Sequence, residues 1–125
     1  MKKISILAIL LAFAIIGSTA CKKDEEITCN LSKTGSASED MSIEFKAEGT
    51  GDGTISTLTY KVGSTTKTVS NPSLPWSVTV SASGGDAVSI TASGTTKDGS
   101  ITVSYDGIGS GSEIKGSDIC SHSNS

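Results

Sequence analysis

From Met41 onward, apolar and polar residues alternate with a period of two. Met41, Ile43, Phe45 and Ala47 are separated by Ser42, Glu44 and Lys46, which puts the first set on one face of a strand and the second in water. A second strand over Thr54–Val62 has Leu58, Tyr60 and Val62 in phase, with Ile55 on the other parity. That mismatch predicts a bulge or a late strand start. Residues 67–70 make a short strand, and Trp76, Val78, Val80 and Ala82 mark the next. Val88, Ile90 and Ala92, then Ile101, Val103 and Tyr105, continue the pattern. Between them stand turn signals: Gly63-Ser64, Asn71-Pro72, Gly84-Gly85-Asp86, Lys97-Asp98-Gly99 and Asp106-Gly107. The glycine-rich stretch 108–120 predicts one or two short strands through Ile114 and Ile119, and 121–125 a frayed tail. No window after the leader carries an i, i+3, i+4 apolar stripe. Six to eight short strands at this spacing predict an all-β fold, a small antiparallel β-sandwich.

The N-terminus follows a different pattern. Lys2 and Lys3 precede an apolar run over residues 4–16, the basic and hydrophobic parts of a secretory signal. The run is shorter than the roughly 20 residues a membrane-spanning helix needs. Ser18-Thr19-Ala20-Cys21 resembles the lipobox of bacterial lipoproteins, which implies lipid attachment at Cys21 after cleavage. Lys23-Asp24-Glu25 resembles the export signal of Bacteroidota-type surface lipoproteins. Together they imply a lipid-anchored cell-envelope protein, at the outer membrane and exposed on the surface. The several acyl chains of such a cysteine suffice for stable anchoring, which one chain does not give. The next residues are mainly charged, then Ser, Thr and Gly, and read as a tether. The expected organisation is a signal peptide over 1–20, a lipidated N-terminus and linker over 21–40, a β-sandwich domain over 41–120 and a disordered tail over 121–125.

Composition narrows the function. The 125 residues carry a net charge of −3. Without Lys2 and Lys3 the balance is eight lysines against thirteen acids, or −5. No arginine is present. Nucleic acid is therefore not an expected partner, because phosphate binding needs clustered cations. After the leader the aromatic residues are Phe45, Tyr60, Trp76 and Tyr105, which predicts a small core.

Candidate chemistry is sparse. Of three cysteines, Cys21 carries the lipid on the reading above, leaving Cys29 and Cys120 as a pair or as two thiols that are free or bonded between molecules. Trp76 is expected to be the largest core anchor, with a binding-surface aromatic as the alternative. His122 is the single histidine and falls in the expected tail, a poor setting for a metal ligand or general base. The serines lack a histidine partner in the folded region, so nucleophilic hydrolysis has no evident base. Asp52, Asp86, Asp98 and Asp106 all stand near glycines, where turn chemistry accounts for them. Neither a calcium-loop spacing nor a phosphate-loop ending is present. No metal, cofactor or catalytic residue is predicted.

The domain carries a further likeness. Leu58-Thr59-Tyr60, Leu74-Pro75-Trp76-Ser77 with the alternating valines Val78 and Val80, Val88-Ser89-Ile90, Ile101-Thr102-Val103 leading into Asp106-Gly107, and Cys120 together resemble the MmpS family. These are small membrane proteins that accompany MmpL transporters. Leu74, Pro75 and Trp76 are the most specific part of the likeness and are expected to lie in the core. The resemblance implies an immunoglobulin-like sandwich without enzymatic activity that serves as an accessory in a transport complex. The leading expectation is a non-enzymatic, lipid-anchored envelope protein that binds a partner through an exposed sheet edge or face. The alternative is a surface adhesion or glycan-binding module with Trp76 or Tyr105 as a stacking platform.

Overall fold

A computed structural model describes residues 25–123. Eight strands follow in order: β1 (Ile27–Ser36), β2 (Met41–Gly51), β3 (Thr54–Val62), β4 (Thr65–Ser70), β5 (Trp76–Ala82), β6 (Ala87–Thr96), β7 (Gly99–Gly109) and β8 (Glu113–His122). They form two four-stranded sheets, one in the order β1-β6-β3-β4 and the other β5-β2-β7-β8. Every pairing is antiparallel. The chain is an all-β sandwich, as the alternation predicts.

The core is the sum of the inward parities. Ile43, Phe45 and Ala47 of β2 and Ile101 and Val103 of β7 meet Leu58 of β3 and Val88 and Ile90 of β6, all buried. Each alternates with a polar outward neighbour, so the strands are held in register by burial, since a one-residue slip would turn the whole apolar set to solvent. The parity break at Ile55 is a bulge. The register of β3 against β6 shifts between Ile55 and Thr57, Ser56 is the extra residue, and both Ile55 and Leu58 point inward and are buried.

Three boundaries differ from the sequence expectation. The linker expected over 21–40 ends early, because Ile27–Ser36 forms β1 and pairs with β6 from Ile27↔Thr96 to Ser36↔Ala87. Ile27, Cys29 and Leu31 share the inward parity, but Lys33 and Gly35 continue it, so the apolar alternation stops halfway. Gly35 is required there: a Cβ at this position would collide with the Tyr105 hydroxyl. The β6 backbone completes the ladder whatever the side chains are.

Asp106-Gly107, which reads as a turn, lies inside β7 with Gly107 between Ile43 and Ile114 on the neighbouring strands. A Cβ on Gly107 would come within 2.6 Å of Ile43 Cδ1 and 2.8 Å of Ile114 Cγ1. The glycine marks close packing and not a reversal. The reversal is at 110–112, and β8 is one continuous strand. Consequently Ser121 and His122, expected in the tail, pair with Ser100 and Gly99.

Candidate functional site

The two lateral sides of the sandwich differ. On one side β1 and β8, each an edge strand of its own sheet, are tied by a disulfide between Cys29 and Cys120, with Cα atoms 5.9 Å apart. Cys29 is buried on β1. Asp118 Oδ2 accepts the Ser32 backbone N–H at 3.1 Å, bridging the same two strands. Tyr105 fills the space beneath: the residue is 5% exposed and its hydroxyl donates to the Thr34 carbonyl at 3.1 Å. A covalent bond, a charge-assisted hydrogen bond and a buried ring close this side.

The other side is bounded by β4 and β5, and here Leu74, Pro75 and Trp76 are found. The Leu74–Pro75 peptide is cis. Leu74 is half-buried against the core as expected, whereas Pro75 is exposed, which corrects its expected place in the core. Trp76 opens β5 and is only half-buried, which corrects its expected place as the largest core anchor. Phe45 holds that place, fully buried on the central strand β2. The two are connected through Tyr60: ring centroids are 5.1 Å apart for Phe45 and Tyr60 and 5.7 Å for Tyr60 and Trp76. Trp76 lies on the outermost strand, where only one neighbour shelters it.

Edge β5 is chemically unlike the other three. β1 carries Lys33, β4 carries Lys67, and β8 carries Glu113, Lys115 and Asp118. β5 reads Trp-Ser-Val-Thr-Val-Ser-Ala, without a charge. Edge strands present unpaired backbone groups, and charged residues commonly blunt them. β5 lacks that device. Its inward Trp76, Val78 and Val80 are half-exposed, and its outward Ser77, Thr79 and Ser81 are exposed.

The outer face of the second sheet holds a shallow depression of about 370 Å³ lined by Lys46, Ser104, Asp106, Lys115 and Ser117. Asp106 Oδ1 is buried there without a hydrogen-bond partner among the described residues. Lys46 and Lys115 are engaged with Glu44 at 3.9 Å and Glu113 at 3.5 Å, exposed pairs that hold little energy. No group of three or more metal-ligating side chains occurs among the described residues.

His122, expected in a solvated tail, is held at the end of β8, where its Nδ1 lies 2.9 Å from the Lys97 carbonyl oxygen. It pins the last strand to the turn between β6 and β7. Residues 1–20, Cys21, Lys23, Asp24 and residues 124–125 lie outside the described residues, while Glu25 is exposed just before β1. The adhesion reading loses one of its two platforms, because Tyr105 is enclosed.

Two carboxylates lock turns at opposite ends of the sandwich. Glu39 receives the Gly111 N–H at 2.7 Å and the Ser112 hydroxyl at 2.9 Å. Asp52 Oδ1 receives the N–H groups of Asp98 at 3.0 Å and Lys97 at 2.9 Å and the Thr96 hydroxyl at 3.0 Å. The Gly111 N–H, with the serine hydroxyls, holds the Glu39 carboxyl below its ordinary range. The Asp98 and Lys97 N–H groups do the same for Asp52. Donors aimed at a carboxylate favour its charged form. A depressed folded-state pKa adds stability that is complete above the unfolded-state value and is lost as pH falls through the folded one. The urea midpoint is therefore expected to hold near neutrality and decline below about pH 4, where free carboxyls of this type protonate. In the double variant Glu39→Gln, Asp52→Asn the decline should be shallower. An equal decline in both proteins would remove these clamps as its cause.

Comparison with known proteins finds no matching family model, no similar curated protein and no similar solved structure. The fold and its surfaces define the class: an antiparallel β-sandwich closed on one side by a disulfide and carrying one uncharged edge on the other. Of the residues singled out in the sequence, the structure joins Cys29 to Cys120 and places Leu74, Pro75 and Trp76 at the start of that edge. The edge itself was missed, because nothing within Trp76–Ala82 shows that the strand has a single neighbour.

Proposed function

We propose that the protein is a non-enzymatic, lipid-anchored cell-envelope protein that presents its sandwich to a protein partner through the edge of β5. The observation that supports this reading is that edge: β5 alone among the four edge strands carries no charge, and its inward row is half-exposed. Strand addition suits such an edge, because backbone hydrogen bonds supply affinity and alternate side chains supply selectivity. Anchoring at Cys21 would leave only residues 22–26 ahead of β1, a span of at most about 20 Å when extended. The domain would therefore stand close to the lipid surface, nearer than a linker reaching to residue 40 would hold it. The Lys23-Asp24-Glu25 signal supports the outer membrane and its exposed face as the location. The MmpS resemblance supports an accessory role in binding a partner; a transport complex is its setting only where the domain faces the periplasm, because an inner-membrane transporter is out of reach of the outer surface.

Replacement of Cys21 by Ser is expected to release the protein from the membrane fraction or to trap the unprocessed precursor. Processed-size protein that stays in the membrane would overturn lipid anchoring. In intact cells, a photo-reactive residue at Thr79 on β5 is expected to form a protein adduct, and one at Thr66 on β4 is not. Equal yields at both positions would overturn docking at the β5 edge.

A further inference from the structure

We propose that the β5 edge recognises a second copy of this chain, two β5 strands pairing antiparallel about a two-fold axis at Thr79. The inference rests on β5 being the docking edge and names its occupant. The strand has seven residues, Trp76–Ala82, so an antiparallel self-pairing that uses all of them must be centred on the fourth. In that register Trp76 faces Ala82 of the other copy, Ser77 faces Ser81, Val78 faces Val80, and Thr79 faces itself. The central five residues, Ser-Val-Thr-Val-Ser, read the same in both directions.

Each row of this pairing is chemically matched. On the outer face, serine meets serine and threonine meets threonine, cross-strand hydroxyl pairs that favour association. On the inner face, valine meets valine, and the largest side chain of the strand meets the smallest apolar one, so Trp76 is accommodated instead of opposed by another ring. No like charges face one another, because the strand carries none. Pro75, which has no N–H to donate, limits the ladder at one end. The two-fold symmetry makes the interface isologous, with the same surface used by both copies, and closes it at two. The product is one continuous eight-stranded sheet in the order β8-β7-β2-β5 followed by its mirror order in the partner. The half-exposed row of Trp76, Val78 and Val80 gains the second neighbour that an edge position denies it.

A single strand pair is a small interface and belongs with weak associations in free solution. Confinement of both copies to one membrane raises their effective concentration without any new contact. Pairing is therefore expected to be stronger on vesicles than in solution.

The test reads the register. Residues directly opposite one another in an antiparallel pair have Cα atoms about 4.5–5.5 Å apart, inside the range of about 4.4–6.8 Å that a disulfide accepts. Two Ser77 residues would stand four positions apart along the strands, about 14 Å. The purified full chain with Thr79→Cys, added to phosphatidylethanolamine–phosphatidylglycerol vesicles under mild oxidation, is expected to give a disulfide dimer. Ser77→Cys alone is expected to give none, and an equal mixture of Ser77→Cys and Ser81→Cys should restore it. Intact mass with the Cys29–Cys120 bond retained establishes that each variant has folded. Vesicle flotation reports anchoring separately, and the cross-link is read in floated and unfloated protein alike. No dimer of Thr79→Cys above a Thr66→Cys control would overturn the inference. So would Ser77→Cys cross-linking alone as fast as Thr79→Cys. An adduct of Thr79 with a different protein in cells, with no dimer of the purified chain, would overturn self-pairing while leaving β5 as the docking edge.

Discussion

Loss of the Cys29–Cys120 bond is expected to lower the free energy of unfolding by about 4 kcal/mol. The two cysteines are 91 positions apart, so the bond removes the conformational freedom of nearly the whole described chain from the unfolded state. The chain-entropy relation gives about 4–5 kcal/mol for a loop of this size, and removal of a native disulfide from a small domain typically costs about 2–5 kcal/mol. For a domain of this length that is a large share of a total that is typically about 5–15 kcal/mol. The loss should also be uneven. β1 is an edge strand, held on one side by β6 and on the other by the disulfide, the Asp118 to Ser32 hydrogen bond and the Tyr105 hydroxyl on Thr34. Without the bond, the backbone N–H groups of β1 should exchange with solvent before those of the central strands β2 and β7. Urea unfolding of the wild-type protein and of the double variant Cys29→Ser, Cys120→Ser measures the first effect, and amide hydrogen exchange measures the second. An unchanged urea midpoint would show that β1 and β8 are held without covalent help.

Phe45→Ala should cost about 3–5 kcal/mol, the range for emptying a large aromatic site in a packed core. Phe45 is 0% exposed, lies on the central strand β2 and packs on Tyr60. Neighbours from both sheets surround it, and little can move to fill the space. Trp76→Ala should cost less, roughly 2–3 kcal/mol, although the side chain is larger, because its ring is partly exposed on an edge strand and only the buried part counts. The comparison discriminates between the two candidates for the core anchor. Equal losses in urea unfolding would return Trp76 to the core. The smaller loss also fits a role for the exposed part of Trp76 at the β5 edge, while its inner part packs on the core.

The distinction between Phe45 and Trp76 shows what one-dimensional pattern can and cannot convey. Both residues sit on the apolar parity of an alternating strand, and nothing in either strand reveals how many neighbours it has. Phe45 is buried because β2 lies between β5 and β7, whereas Trp76 is half-exposed because β5 has β2 alone. Sheet order sets this, and sheet order follows from contacts distant in sequence. β1 was hidden for a related reason. Its inward parity passes from Ile27, Cys29 and Leu31 to Lys33 and Gly35, and the glycine there is dictated by Tyr105, seventy positions later in the chain. Gly107 gives the opposite error: an Asp-Gly pair has the chemistry of a turn, yet in β7 the missing side chain makes room for Ile43 and Ile114.

By itself, the sequence determined the class of fold, because a period of two over most of the chain after residue 40 can bury its apolar set only in paired sheets. It also located the parity break at Ile55, which the structure resolved as a bulge instead of a late strand start, and set the short list of cysteines able to pair. Tertiary structure alone decided which strands became edges, and therefore that Cys29 and Cys120 close one side while the uncharged β5 stays open on the other. The physical reason is that alternation is a local property of one strand, whereas being an edge depends on which backbone satisfies the hydrogen bonds of another.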